Sequence, residues 1–301
     1  MRLTVLIPAH NEEASLKDVI RRVPRRFSGI DAVTVVVVDD GSTDHTAQIA
    51  RAAGAVLLTH GRRLGLAAAF RTGLSYALAE GADLIATLDA DGQYRPEELS
   101  LLLESLRRAH ADLVVGDRQI SSLTHMPLSH RIGNVLGSFM LRVLGTTGIR
   151  DASSGFRMFT RSFGLLLRIT SEHTYTHEML IQASAVSART AEVPVTFLPR
   201  AHGRSKLVRT LRHHILRSCG TILRALFLYR PLRKFLPLAA LCVLIALGLL
   251  LPAFRGGFRP AMLVVPGIFL VLAVQFVILG LIADAHASER RLRAGDFTPR
   301  S

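Results

Sequence analysis

The chain has 301 residues, room for one sizeable globular domain and an appendage. Its net charge of +14 is lopsided, with 21 Lys/Arg against 20 Asp/Glu in residues 1–199 but 16 against 3 in residues 200–301. The two cysteines, Cys219 and Cys242, fall next to and within apolar runs, which excludes a disulfide-stapled fold, and the twelve histidines (His173/His177 and His213–His214 among them) complete no zinc pattern.

From the first residue, short β-rich runs alternate with helical patterns. Strands are expected at 3–7, 33–38, 55–58, 83–88 and 112–115, and helices near 12–23, 44–53, 66–79, 96–109 and 131–144. The start "STDHTAQIA" carries an N-cap signal, and Pro96 sits where a first helical turn tolerates it. "VTVVVV" lacks a polar face, as befits a central strand covered on both sides. Such alternation predicts an α/β fold with a doubly wound, mostly parallel sheet. Beyond it come turn residues leading into a short strand in "SSGFRMFT", a helix near 176–188, a strand at 191–198, and a basic amphipathic stretch at 206–229 that suits an interfacial helix on anionic lipid.

Two apolar runs follow, 236–254 and 261–283, uncharged over 19 and 23 residues. At about 1.5 Å per residue each is long enough for a hydrocarbon core of roughly 30 Å. The pair reads as a transmembrane hairpin. Arg230, Arg233 and Lys234 before it, and Arg290, Arg291 and Arg293 after it, outnumber Arg255 and Arg259 in its loop. The positive-inside rule then puts both termini and the globular domain in the cytoplasm, on the membrane as a multi-pass protein. The opening "RLTVLIPA" is strand-like rather than a signal peptide. The expected division is a catalytic domain at 1–200, juxtamembrane helices at 201–234, the hairpin at 235–284 and a basic cytoplasmic tail at 285–301.

The chemistry concentrates at strand ends. In "TLDADGQ" Asp89 and Asp91 stand one residue apart where a strand runs out, and two carboxylates at that spacing can share a hard divalent cation of the kind that partners a diphosphate. Asp39 and Asp40 end the second strand on the same rim, where open α/β sheets bind ligands, and a carboxylate there can accept from ribose hydroxyls or a base N–H. Neither G-x-G-x-x-G after the first strand nor a Walker loop is present, and nothing points to nucleic acid.

The ordered set "IPAHNEE", "VVDDGSTD", "GLAAAFRTGL", "LDADGQYRPEEL", "VVGDR", "SSGFRMF" and "RAHGRSK" resembles the family 2 glycosyltransferases of GT-A fold, and among them the polyprenyl-phosphate glycosyltransferases. The resemblance spans about residues 3–206. It implies that Pro8, Ala9, Asn11, Glu12, Asp39, Asp40, Asp89 and Ala90 line a nucleotide pocket, with Asp40 on the base or ribose. Asp89, Asp91 and Gln93 would hold Mg²⁺ or Mn²⁺. Arg118, Arg131, Ser205 and Lys206 would meet an acceptor phosphate, with Arg200 gripping phosphate beside them. Asp151 and Arg157 would organise the pocket or form a structural ion pair. His10, His45, Arg62, Arg63 and Glu178 depart from the family's pattern or have no role assigned.

The implied activity is inverting transfer of one sugar from a nucleotide-diphosphate sugar (GDP-mannose or a UDP-hexose) to a membrane polyprenyl phosphate. A phosphate monoester, with a second pKa of about 6, is already an ionised nucleophile, so direct displacement needs no covalent enzyme intermediate. The chain has no Trp, so it lacks the Q-x-x-R-W motif of processive synthases. Two alternatives stand beside this reading. One is transfer to another lipid's hydroxyl with a carboxylate base such as Glu178; the other is a silent membrane scaffold. A homo-oligomer is compatible with either.

Overall fold

The computed structural model describes residues 1–123, 128–143, 148–171, 174–200, 232–255 and 263–295, in two compact units, Met1–Ile222 and Leu223–Ser301. In the first, β1 (Arg2–Ala9), α1 (Leu16–Arg22), β2 (Ala32–Asp39), α2 (Thr46–Ala52), β3 (Val56–Thr59), α3 (Leu66–Ala79) and β4 (Leu84–Thr87) alternate as expected. They are followed by α4 (Leu99–Arg108), β5 (Leu113–Asp117), α5 (Leu128–Val143), β6 (Arg157–Thr160), α6 (Arg161–Leu166), α7 (Thr176–Ala185) and β7 (Thr190–Pro194). One seven-stranded sheet runs β3-β2-β1-β4-β6-β5-β7.

β1 pairs in parallel with both β2 and β4, and β2 with β3. The apolar runs of β1 and β2 are buried on both faces, so helices must cover them. α3 does so with small residues: Ala67, Ala68 and Ala69 are buried, and a Cβ on Gly73 would stand 3.2 Å from Leu6 and from Val38. A side chain there would have to push the Leu6 and Val38 methyl groups aside.

β6 runs antiparallel to both β4 and β5, which strand–helix alternation did not foretell. Its register sets Arg157 opposite Thr87 and Val115, so the turn that precedes β6 lies on the rim where β4 and β5 end. β7 is parallel to β5 and delivers its own end to that rim.

Elsewhere the boundaries moved by a few residues. Pro96 opens a 3₁₀ turn, Pro96–Glu98, rather than the first α-helical turn. The strand expected at 191–198 stops at Pro194, whose missing N–H ends a ladder; Phe197 then bridges back to Tyr94.

In the second unit, α8 (Leu232–Arg255) and α9 (Val264–Gly295) pack through small residues: Ala239, Cys242, Ala246 and Ala273 are buried, and the Phe235 and Phe276 rings lie 6.1 Å apart. Cys242 is thus the small apolar residue expected of it. Among the described residues one helix, Val264–Ala285, is long and apolar enough to cross a membrane, while the apolar stretch of α8 covers the shorter Phe235–Leu251. The helix expected at 206–229, together with His213, His214 and Cys219, lies outside the described residues, as does His173.

Candidate active site

Asp89 leaves β4 into a space shaped by a missing side chain. A Cβ on Gly155 would approach both Asp89 carboxylate oxygens at 2.8 Å, so only glycine leaves room for them. Gly155 is pinned from three sides: its carbonyl accepts from Thr87 Oγ1 (2.6 Å) and Tyr175 Oη (3.4 Å), and its N–H donates to Tyr94 Oη (3.3 Å). Among the described residues no donor is hydrogen-bonded to Asp89. Burial, with the neighbouring Asp91 charge, pushes its carboxyl up to about 7, while Arg118 and Arg200 pull the other way. An acid so placed takes up a cation readily, because the cation relieves what raised its pKa.

Asp91 has found a cation within the chain. Gln93 and Leu198 exchange two hydrogen bonds, Leu198 N–H to the Gln93 carbonyl (2.7 Å) and Gln93 Nε2 to the Leu198 carbonyl (3.1 Å). That clamp lays the segment after β7 alongside the β4 loop and brings Arg200, two residues on, over the acidic pair. Arg200 Nη2 donates to Asp91 Oδ2, and Nη1 stands 4.0 Å from Glu12 Oε1. Gln93, expected beside the metal, spends its side-chain amide on this clamp.

The residues expected around the nucleotide assemble at the ends of β1, β2 and β4. Asn11 adopts a left-handed backbone (φ 54°), which Asn tolerates, and its Oδ1 accepts from Thr43 N–H at 2.7 Å. Glu12 N–H donates to Thr46 Oγ1 at 2.8 Å, and Ser15 Oγ donates to the carbonyl of Ala90 at 2.7 Å. Pro8 and Ala9 end β1 in register with Val38 and Asp39.

Asp39 accepts from the Ser42 hydroxyl and N–H, which turns the chain after β2. Asp40 is engaged within the chain. It is buried, and its carboxylate accepts from Leu64 N–H (2.8 Å) and Gly65 N–H (2.8 Å) and is bonded to His60 Nδ1 (2.8 Å), whose Nε2 reaches Thr72 Oγ1 (2.9 Å). Burial works against its ionisation, yet these bonds hold it below the usual carboxylate range. Asp40 therefore clamps the 60–65 loop. Gly41, at φ +67° with the Arg62–Arg63 backbone 2.6 Å from any added Cβ, lets that loop close down. Arg62 and Arg63 are exposed on it.

Across the rim, Arg118 forms a bidentate pair with Asp151, Nε to Oδ2 at 2.7 Å and Nη2 to Oδ1 at 2.8 Å, and also donates to Ser153 Oγ (2.6 Å) beneath the Phe197 ring, 5.1 Å away. Burial opposes the Asp151 charge, but Arg118 holds its carboxyl below the ordinary value. Arg157 is no partner of Asp151. Fully buried, it donates to the carbonyls of Ser154, Thr176 and Ala152 at 2.7–2.8 Å and so braces the turn that carries Gly155. Burial pulls its pKa down to about 10, still charged at neutral pH. Arg131 donates to the Ser121 carbonyl. Ser205 and Lys206 lie outside the described residues.

Glu178 is buried, and both its oxygens are occupied by the N–H groups of Thr170 and Ser171, the Thr170 hydroxyl and Gln182 Nε2. It organises a loop. Glu178→Gln is expected to lower stability by about 1–3 kcal/mol, since an amide N–H would face those donors. Turnover per folded molecule should stay within a few-fold, as thermal melts and activity together would show; a large loss of turnover at unchanged stability would restore the base.

Sequence reading missed Gly155, His60, Tyr94 and Phe197, which support charged groups from behind. Only the strand-end position of His60 and the glycine inside "SSGF" hinted at them.

Family membership follows from comparison. The model of "Glycosyl transferase family 2" matches residues 4–164. An undecaprenyl-phosphate mannosyltransferase from Micrococcus luteus is 30% identical over 218 residues, covering 69% of this chain and 88% of that protein. A UDP-N-acetylglucosamine–dolichyl-phosphate N-acetylglucosaminyltransferase from Methanococcus voltae is 29% identical, covering 64% and 83%. Among solved structures, glucosyl-3-phosphoglycerate synthase from Mycobacterium tuberculosis, in complex with Mn²⁺, UDP-glucose and phosphoglyceric acid, superposes with a TM-score of 0.57 at 21% identity over 75% of this chain and 79% of that one, a likeness of fold. With its strand-end acids and its GT-A architecture, the chain belongs to glycosyltransferase family 2.

Proposed function

We propose that this enzyme transfers a single sugar from a nucleotide-diphosphate sugar to a polyprenyl phosphate at a membrane, with inversion at the anomeric carbon. The observation that carries the reading is the gathering, on one rim, of an acidic seat (Asp89, Asp91, Glu12) and of the arginines Arg118 and Arg200. That pairing suits a reaction with an anion on either side of the transferred carbon. The relatives named for undecaprenyl and dolichyl phosphate support the acceptor class.

The acidic seat fits Mg²⁺ or Mn²⁺. Asp89 is open to a ligand, Gly155 leaves it space, and an arginine already stands on Asp91. Among the described residues no three His, Cys, Asp or Glu side chains form a complete metal cluster, which suits a cation that takes the rest of its shell from diphosphate and water. Such a cation, when bound, supplies Lewis-acid neutralisation of the leaving diphosphate. Pro8, Ala9, Asn11, Glu12 and Asp39 form the walls for the nucleoside, with the 60–65 loop clamped by Asp40 closing its far side. Arg118, fixed by Asp151, and Arg131 face the acceptor phosphate, joined by Ser205 and Lys206. Holding nucleophile and anomeric carbon in line is the main contribution of these residues, because the phosphate needs no base.

The proposed anchor is the apolar hairpin, in which Val264–Ala285 is long and apolar enough to cross a membrane and Phe235–Leu251 is a shorter apolar stretch. Both termini and the catalytic unit face the cytoplasm. The test incubates membranes containing the full chain with a panel of radiolabelled GDP- and UDP-sugars. Label that partitions into organic solvent and is released by mild acid identifies donor and linkage; label that is acid-stable there would point instead to a lipid hydroxyl.

A further inference from the structure

Arg200 stands where a divalent cation is wanted. Its Nη2 is bonded to Asp91 Oδ2 and its Nη1 lies 4.0 Å from Glu12 Oε1, and its charge acts on Asp89 as well. The guanidinium is largely enclosed, with 18% of its side chain exposed, against 13% for Asp91 and 16% for Glu12. A divalent cation on Asp91 would compete with the guanidinium for the same carboxylate charge, and two cations so close would repel. The clamp does not use the Arg200 side chain: Leu198 N–H on the Gln93 carbonyl and Gln93 Nε2 on the Leu198 carbonyl hold the segment, so that side chain can leave while the segment stays put.

We infer that Arg200 is the resident counter-ion of the metal seat and exchanges with the divalent cation. In the metal-free protein it neutralises the acidic cluster. When metal and nucleotide diphosphate arrive together, it is expelled and becomes a free cation at the edge of the site, where the acceptor phosphate is its available partner. The exchange enforces an order: the phosphate of the lipid gains its arginine only after the donor complex has formed. This rests on the metal-dependent reading above.

The test measures Mn²⁺ binding by electron paramagnetic resonance on the full chain in lipid nanodiscs, with and without a nucleoside diphosphate. Without nucleotide, Arg200→Gln should bind Mn²⁺ about tenfold more tightly than the wild type, since a competing cation has been removed. Arg200→Lys, which keeps the charge, should stay near the wild type. Asp91→Asn should bind least. Equal affinity in wild type and Arg200→Gln, or weaker binding in the latter, overturns the exchange while leaving the metal seat intact. Failure of every form to bind Mn²⁺ even with nucleotide overturns the metal-dependent reading itself. A separate measurement bears on order: binding of a short-chain prenyl phosphate to the wild type should strengthen severalfold once Mn²⁺ and nucleoside diphosphate are present, and that gain should vanish in Arg200→Gln. A gain of equal size in the variant would count against the role of Arg200.

Discussion

Asp91→Asn should abolish sugar transfer, lowering kcat/KM roughly a thousand-fold, while the protein still folds and still enters membranes. Asp91 keeps only a small part of its side chain exposed, but its contacts with Arg200 and the Gln93 N–H (3.1 Å) order a loop at the rim rather than the core. Removing its charge therefore costs little stability but takes away half of the acidic pair. It also removes the Asp91 charge, which together with burial and Glu12 raises the Asp89 pKa, so Asp89 in the variant should ionise at lower pH than in the wild type. Turnover with a fixed donor concentration, and the Asp89 carboxyl followed by infrared difference spectroscopy, check the two halves of this expectation. Retention of near-full activity would remove the metal seat from the mechanism.

Asp151→Ala should be the most destabilising single change at the rim. It leaves the Arg118 guanidinium buried without its bidentate acceptor, a loss of about 3–5 kcal/mol. In a unit of this size that lowers the melting temperature by of order 10 °C. The sign of the pH dependence follows from the depressed Asp151 pKa. Its contribution is complete above the unfolded carboxyl value of about 4 and is lost as pH falls through the folded value. The variant's deficit against the wild type should thus shrink on acidification. The double variant Arg118→Met with Asp151→Leu should recover much of the stability, since apolar pairs often replace buried ion pairs without loss, yet it should not recover transfer. Calorimetry and an activity assay separate the two.

Much of this arrangement was legible in the residues. Apolar runs of β1, β2 and β4 set the strands, and their spacing placed Asp39, Asp40, Asp89 and Asp91 on one rim before any coordinates. What periodicity could not convey was direction. β6 is only four residues long and its polar–apolar–apolar–polar pattern carries no direction, so its antiparallel course, and hence the nearness of Gly155 to Asp89, depended on tertiary packing. Pairing was equally hidden. Asp40 looks like a ligand-binding acid until the His60, Leu64 and Gly65 donors appear around it, and Asp151 chooses Arg118 over the nearer Arg157 because the latter is drawn into a ring of carbonyls. Arg200 reads as a phosphate-binding residue; only the Gln93–Leu198 clamp reveals its second position over Asp91.

The reversed strand also divides the active centre along the chain. On the function proposed above, the nucleoside walls come from the stretch ending at Gln93 and the acceptor arginines from Arg118 onward, with β6 as the seam and with Gly155 and Arg200 reaching across it to the acidic pair. If that division holds, selection can rework the acceptor side without disturbing the donor side, because the two vocabularies are written in consecutive, rather than interleaved, passages of the gene.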